Sequence, residues 1–417
     1  MKKKWRIALL HYTCPPVVGG VEEVVRHQAL VFDAMGHETT IIAGQGMQSA
    51  NVVPLIINPL FSSQNRSVDK ALTAFAEGTY GPFQFLVDTL YEDLKDTIGG
   101  YDFLIVHNVM TMPYNLPLTY AVERLSAEQP VHVISWNHDS IYFYPDYPVV
   151  YDEVPWTILK ERIPTISYVC ISHARSAEFA ALYGTEKDLT VVPNGIDVSR
   201  FFQFTEESQL INEERKLSEA DLIMVHPARL LPRKNFELGI RVASALKRRG
   251  YDIRYLITGA YNPHEQKNRE YYKRLRQLTW DENVGKETVF IAEYQKKDGT
   301  KIIPRQRLIR DLYFVADFLF MPSISEGFGI PLMEAGLCKL PIVCSQIAPF
   351  MEIGGDHVYQ FPLDADPDEI ATGICDFLSR CSSHRMYRHI IRHYVWSAVY
   401  HQHIKPFLAS VDRSTPS

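Results

Sequence analysis

The chain has only six cysteines in 417 residues, and no two of them form a CxxC pair or a spacing that would hold zinc. Reduced, buried thiols and a cytoplasmic setting are therefore expected rather than a disulfide framework. Long apolar runs are also missing. None approaches the ~20 residues of a membrane span, and the IALL core of the basic opening MKKKWRIALL is too short for a secretion signal. Membrane contact is expected to be peripheral at most. Positive charge is not in excess: 43 Lys and Arg stand against 49 Asp and Glu, and the net charge of −6 argues against general nucleic-acid binding. Neither PPVVGGVEE nor LITGAYNP supplies the GxGxxG fingerprint of a redox dinucleotide enzyme. No motif marks a pyridoxal-phosphate lysine, and no short-period repeat or low-complexity linker interrupts the chain.

What is present is a repeated βαβ pattern. WRIALLHY reads as a strand and PPVVGG as a glycine turn. VEEVVRHQALVFDAMGH follows as a helix with Val21, Val24, Val25, Phe32 and Met35 on one stripe, and ETTIIAG as a second strand. The same order returns in DLIMVHPARL, LPRKN, FELGIRVASALKRRG and DIRYLITGA. Between them YDFLIVHN, VHVISWNH and SYVCISH are apolar runs with polar ends. Parallel strands buried on both faces read this way, and their carboxyl ends are where open α/β sheets take ligands. Near the C-terminus, Ile391, Val395, Ala398 and Ile404 keep a helical spacing that is expected to break at Pro406.

SISEGFGIPLMEAG, residues 323–336, carries the densest chemistry. Pro331 suits the first helical position, and Gly327 and Gly329 let bare amides approach an anion at the helix start. Glu334 is expected in the first turn, where it either complements the helix dipole or accepts hydrogen bonds from ligand hydroxyls, as Glu326 would from the loop. Phosphates on amides and hydroxyls on carboxylates describe a sugar nucleotide. Asp364 and Asp366 form a DxD, but Pro367, Asp368 and Glu369 follow, so a helix cap is expected there and no metal site. The aromatic loop SIYFYPDYPVVYDEVPW reads equally as a wall for an acceptor sugar or as a cap over the sheet.

The set PPVVGGVEE, VVPNGID, HPARLLPRKN and EGFGIPLME, in this order between residues 15 and 334, resembles the family 4 retaining glycosyltransferases of the GT-B class. The resemblance implies an α/β fold of two Rossmann-like domains facing across a cleft. Residues 1–198 would form the acceptor-side domain, with a C-terminal helix of about 395–417 crossing back to it, and residues 199–394 the nucleotide-sugar-binding domain. It implies a hexose moved from a nucleotide diphosphate sugar to a hydroxyl of a small polar or glycoside acceptor, with no metal or other cofactor required. The general look is similar to the mannosylglucosylglycerate synthases, which favours mannose from GDP-mannose. A UDP-glucose-dependent glucosyltransferase, a nucleotide-sugar epimerase of the same architecture and a non-catalytic nucleotide-sugar binder stand as alternatives.

By the same resemblance Glu334 would hold the ribose hydroxyls and Glu326 those of the transferred sugar. Gly327, Phe328 and Gly329 would lie by the sugar and phosphate, and Gly19 and Gly20 would close over the diphosphate and sugar. Arg229 and Lys234 would offset the charge of the departing diphosphate, with Arg233 able to exchange roles with them. His138, at a first-domain strand end, would stand beside the donor sugar. Catalysis would rest on Glu326, His138, Arg229 and Lys234, without a fixed nucleophile, while Glu22 has a structural place at the helix start.

Overall fold

The computed structural model describes residues 3–17, 19–48, 53–185, 187–259, 266–296 and 298–412. The chain divides into two compact units, Met1–Asp197 with His393–Ser417, and Val198–Arg392. Among the described residues, no helix is long and apolar enough to cross a membrane.

The first unit is built on seven strands: β1 Arg6–Thr13, β2 Glu38–Gln45, β3 Leu55–Ile57, β4 Phe103–His107, β5 His132–Asn137, β6 Ser167–Cys170 and β7 Leu189–Val191. They pair in the order β3-β2-β1-β4-β5-β6-β7, every pair parallel. Successive side chains of a strand leave opposite faces. Ala8 and Leu10 accordingly enter one core, with Leu104 and Val106 of β4, while Ile7 and Leu9 enter another, with Phe103 and Ile105. The helix Gly20–Ala34 returns the chain from β1 to β2 and buries Val24, Val25, Ala29, Val31 and Phe32.

The C-terminal segment completes that second core. Ile196 N–H donates to the Tyr394 carbonyl at 2.7 Å, and Ile196 bridges Val395. Trp396, Val399, Tyr400, Ile404, Phe407 and Leu408 then pack with Trp5, Val25 and Phe32. Pro406 does not break the helix as expected. A π turn, Tyr400–Ile404, precedes the helix Lys405–Asp412, and the proline lies in the first turn after it, past the point where its ring would clash with a regular i−4 carbonyl. Val395, counted as helical from its spacing, is instead the extended residue ahead of Trp396. Residues 413–417 of the expected helix lie outside the described residues.

The second unit repeats the plan with six strands: β8 Leu222–His226, β9 Ile253–Ile257, β10 Thr288–Phe290, β11 Phe318–Met321, β12 Ile342–Ser345 and β13 Tyr359–Phe361. Their order is β10-β9-β8-β11-β12-β13, all parallel. Asp317, fully buried just before β11, accepts from Ile223 N–H at 2.7 Å and from His384 Nε2 at 2.9 Å. It thereby ties the helix Ser382–His393 to the sheet. In both sheets strand order reverses between the first and fourth strands, β1 and β4 in one unit, β8 and β11 in the other. Chains leaving such neighbouring carboxyl ends diverge to opposite faces and open a crevice for ligands.

Candidate functional site

In the second unit the loops leaving β8 and β11 are fastened together. Ile324 N–H donates to the Arg233 carbonyl at 2.8 Å. Pro232–Lys234 is a short 3₁₀ turn, and Asn235 follows at φ 55°, a left-handed conformation that Asn tolerates, where its side chain caps the helix Phe236–Arg248 by accepting from Leu238 N–H. This turn aims Lys234 at Glu326. The Lys234 ammonium donates to Glu326 Oε1, Ser323 Oγ donates to the same oxygen at 2.8 Å, and Arg233 Nη1 donates to Oε2 at 3.0 Å. Burial by itself would push the Glu326 carboxyl up. Its hydrogen bonds from Lys234, Ser323 and Arg233, with the Lys234 charge, outweigh that and hold it below the usual carboxylate range. Ser345 Oγ in turn donates to the Ser323 carbonyl at 2.5 Å.

Arg229 is exposed on the same loop. Its path is set by Gly259, whose hypothetical Cβ would lie 1.7 Å from the Ala228 carbonyl oxygen and 2.6 Å from Arg229 Cα. Only glycine at 259 lets the end of β9 approach the Arg229 loop so closely.

Gly329 takes φ 140°, a region open to glycine, and starts the helix Ile330–Leu337. That start corrects two expectations. Pro331 is the second helical residue, and Glu334 is the fifth, beyond the first turn. Dipole complementation therefore does not explain Glu334. Its Oε2 accepts from the Tyr313 hydroxyl at 2.8 Å, across from the helix Gln306–Val315. Gly327 and Phe328 lie in the turn between Glu326 and this helix, Phe328 with its ring exposed.

In the first unit Gly19 and Gly20 sit at the start of the helix after β1, and Val18 of the expected turn lies outside the described residues. Glu22 faces back toward β1, where its Oε1 accepts from Thr13 Oγ1 at 2.6 Å and lies 3.9 Å from His11 Nε2. His138 follows β5, and its backbone N–H donates to Asn108 Oδ1 at 2.8 Å. Its ring stacks on that of His107 at 5.3 Å. Burial, then the nearby His11, push His138 down to about 3, and burial holds His107 well below its ordinary value. Both rings are neutral near pH 7.

The aromatic loop is drawn inward. Tyr142 donates its hydroxyl hydrogen to the Tyr151 carbonyl at 2.5 Å, with the Trp156 carbonyl at 3.3 Å, and Trp156 is buried in the core of the first unit. These contacts describe a cap on the sheet, with Tyr144 left exposed. Asp366 caps the helix Pro367–Arg380 by accepting from Asp368 N–H at 2.8 Å, and Asp368 pairs with Arg248 and Arg249.

Thus Lys234, Arg233 and Glu326 are brought together, Glu334 is held by a tyrosine, and Arg229 stands open. Tyr313, Ser323, Gly259, His11 and His107 were not singled out from sequence. The histidines had a signal, since His107 ends β4 and His11 lies two residues from the end of β1, both toward the carboxyl edge. Tyr313 and Gly259 had none that spacing could reveal.

Residues 18–200 match the family model described as Glycosyltransferase Family 4, and residues 207–393 match Glycosyl transferases group 1. The chain belongs to the group 1, family 4 glycosyltransferases, enzymes of the GT-B class built from two Rossmann-like domains, and it is a sugar-transferring enzyme. It is 25% identical over 362 residues to mannosylglucosylglycerate synthase of Thermotoga maritima, covering 83% of this chain and 81% of the relative. A synthase of the same name from Petrotoga mobilis is 24% identical over 362 residues, 81% of each chain. A GDP-mannose-dependent alpha-(1-6)-phosphatidylinositol monomannoside mannosyltransferase of Mycolicibacterium smegmatis is 27% identical over 217 residues, 50% of this chain and 52% of that one.

Proposed function

We propose that the protein transfers a hexose, mannose from GDP-mannose in the first instance, with retention of anomeric configuration to a hydroxyl of a small polar or glycoside acceptor. The observation that carries the reading is the Glu326 carboxylate held by Lys234, Ser323 and Arg233 at the strand-order reversal of the second unit. A lysine ammonium has three donors and a guanidinium five. Lys234 and Arg233 can therefore keep Glu326 and still offer N–H groups to a diphosphate, with Arg229 joining from the open loop. Side-chain cations in that position offset the charge that grows on a leaving diphosphate, so the reaction is assigned no metal. Glu326 is left with lone pairs for sugar hydroxyls, and Glu334 for the ribose. His138, neutral, contacts the donor sugar. The six unpaired thiols suit a cytoplasmic setting. The names of three relatives support mannose and, in one, GDP-mannose as donor.

The test is a thermal-shift panel with GDP-mannose, UDP-glucose, ADP-glucose and the matching diphosphates in EDTA, followed by NMR of the anomeric proton of the product. A ligand that binds only the folded state raises its apparent stability. GDP and GDP-mannose are expected to give the selective rise, and the product to be the α-anomer. A rise with uridine ligands alone moves the assignment to glucose, and stabilisation that requires a divalent metal defeats the metal-free site.

A further inference from the structure

Three histidines gather at the carboxyl ends of the central strands of the first unit, and only His138 has a part in the reaction above. His107 is fully buried at the end of β4. Its Nδ1 and Nε2 of His138 share one hydrogen bond at 3.0 Å. In a bond between two neutral imidazoles one nitrogen supplies the proton and the other the lone pair, so the two tautomers are set together. If His138 donated through Nε2, the proton of His107 would sit on its own Nε2, an atom that is buried without a hydrogen-bond partner. If His107 donates through Nδ1, that buried Nε2 is a bare acceptor. An orphaned buried N–H is the rarer defect in folded proteins, so the second arrangement is favoured. It leaves His138 protonated at Nδ1, for which no protein partner is found among the described residues.

The surroundings hold this pair still. His11 Nδ1 donates to the His107 carbonyl at 2.9 Å, Trp136 also stacks on His107 with ring centroids 5.9 Å apart, and Asn108 fixes the backbone of His138. Both rings stay neutral across the working pH range, so one proton per ring is the state that matters.

We propose that His107 is a positioning residue that locks His138 in the Nδ1–H tautomer, so that His138 meets an oxygen of the substrate as a hydrogen-bond donor and not as a base. The proposal rests on the reading of His138 as a substrate contact, but the tautomer can be measured without any substrate.

The experiment is ¹⁵N NMR of the histidine rings in the full chain at pH 7, with His138 assigned by its loss in His138→Gln. His138 is expected to show a protonated Nδ1 and a bare Nε2. His107→Leu should release this preference and lower kcat/KM about tenfold, the effect of one hydrogen bond. His107→Asn, whose amide N–H can stand where Nδ1–H stood, should restore both the tautomer and the turnover. A wild-type His138 protonated at Nε2 overturns the proposal whether or not any variant folds, and so does an unchanged tautomer in His107→Leu. Failure of transfer with every donor, the tautomer being as expected, would count against the reading of the reaction and leave the pair intact.

Discussion

Tyr313 donates its phenolic hydrogen to Glu334 at 2.8 Å, from one helix to the next. The tyrosine is 3% exposed, and burial, then the hydrogen bond to Glu334 and its charge, push the phenol up, so it remains a donor at any working pH. The carboxylate assigned to the ribose is thus aimed by a second residue before any ligand arrives. Tyr313→Phe should raise the KM for the donor several-fold with little change in kcat, and cost about 1 kcal/mol of stability. Steady-state kinetics with a urea titration would show it, and an unchanged donor KM would remove Glu334 from the donor site.

Glu326→Ala and Lys234→Ala should each lower turnover by about 10²-fold or more, the scale seen when a group that stabilises transition-state charge is removed. Their stability costs should be unequal. Lys234→Ala leaves a largely buried carboxylate with only Arg233 and Ser323, whereas Glu326→Ala leaves a lysine free to turn toward water. Purified variants with near-native rates would defeat the site, and equal melting losses would defeat the account of the carboxylate's partners.

Gly259→Ala tests the close approach beneath Arg229. The added methyl meets backbone, which cannot turn aside as a side chain can, so overpacking should cost about 1–3 kcal/mol. Weaker stabilisation by a nucleoside diphosphate should accompany it, because the Arg229 loop is displaced. A variant with native melting and native diphosphate affinity would show that the loop is placed by something else.

The buried histidines predict acid sensitivity. His138 and His226 lie at about 3 in the folded chain, burial being the main cause in each. In the unfolded chain they return to 6.5. Between these values the unfolded state binds more protons, so stability falls as pH drops from 6.5, by about 1.4 kcal/mol per pH unit for each ring. Glu326 acts in the same direction at lower pH: its carboxyl is held below 4.5, so its contribution is complete above that value and is lost as pH falls through the folded value. Chemical denaturation at pH 7, 6 and 5 should give a steep slope, and His226→Asn a shallower one by about one ring. An identical slope in the variant would show that His226 is already protonated or exposed.

The alternation of apolar and polar stretches was enough to read the central strands, such as β1, β4 and β5, because they are buried on both faces, whereas β3, Leu55–Ile57, has no buried residue and left no such signal. Lys234 and Glu326 were legible because each lies in a loop between a strand and a helix whose glycines, prolines and charges are written locally. The precise helix start was not. Pro331 marked a start one residue too late, because the φ of 140° at Gly329 lets the helix begin at Ile330, which puts Glu334 beyond the first turn. The pairing of His107 with His138 was hidden for another reason. It follows from the register that sets His107 opposite Trp136, and register between neighbouring parallel strands is fixed by packing on two faces that no single segment displays. Arg233 was left open as an exchange partner for Arg229 and Lys234, and its hold on Glu326 came only with the geometry.

The return of residues 393–412 to the first unit has a bearing on how the protein is made. Val25 and Phe32 leave the ribosome early, yet the side chains that cover them, from Trp396 to Leu408, emerge more than 360 residues later. Throughout synthesis of the second unit, the part of this core that the C-terminal segment covers waits open, an interval in which chaperone binding would protect it and a premature stop would leave it exposed.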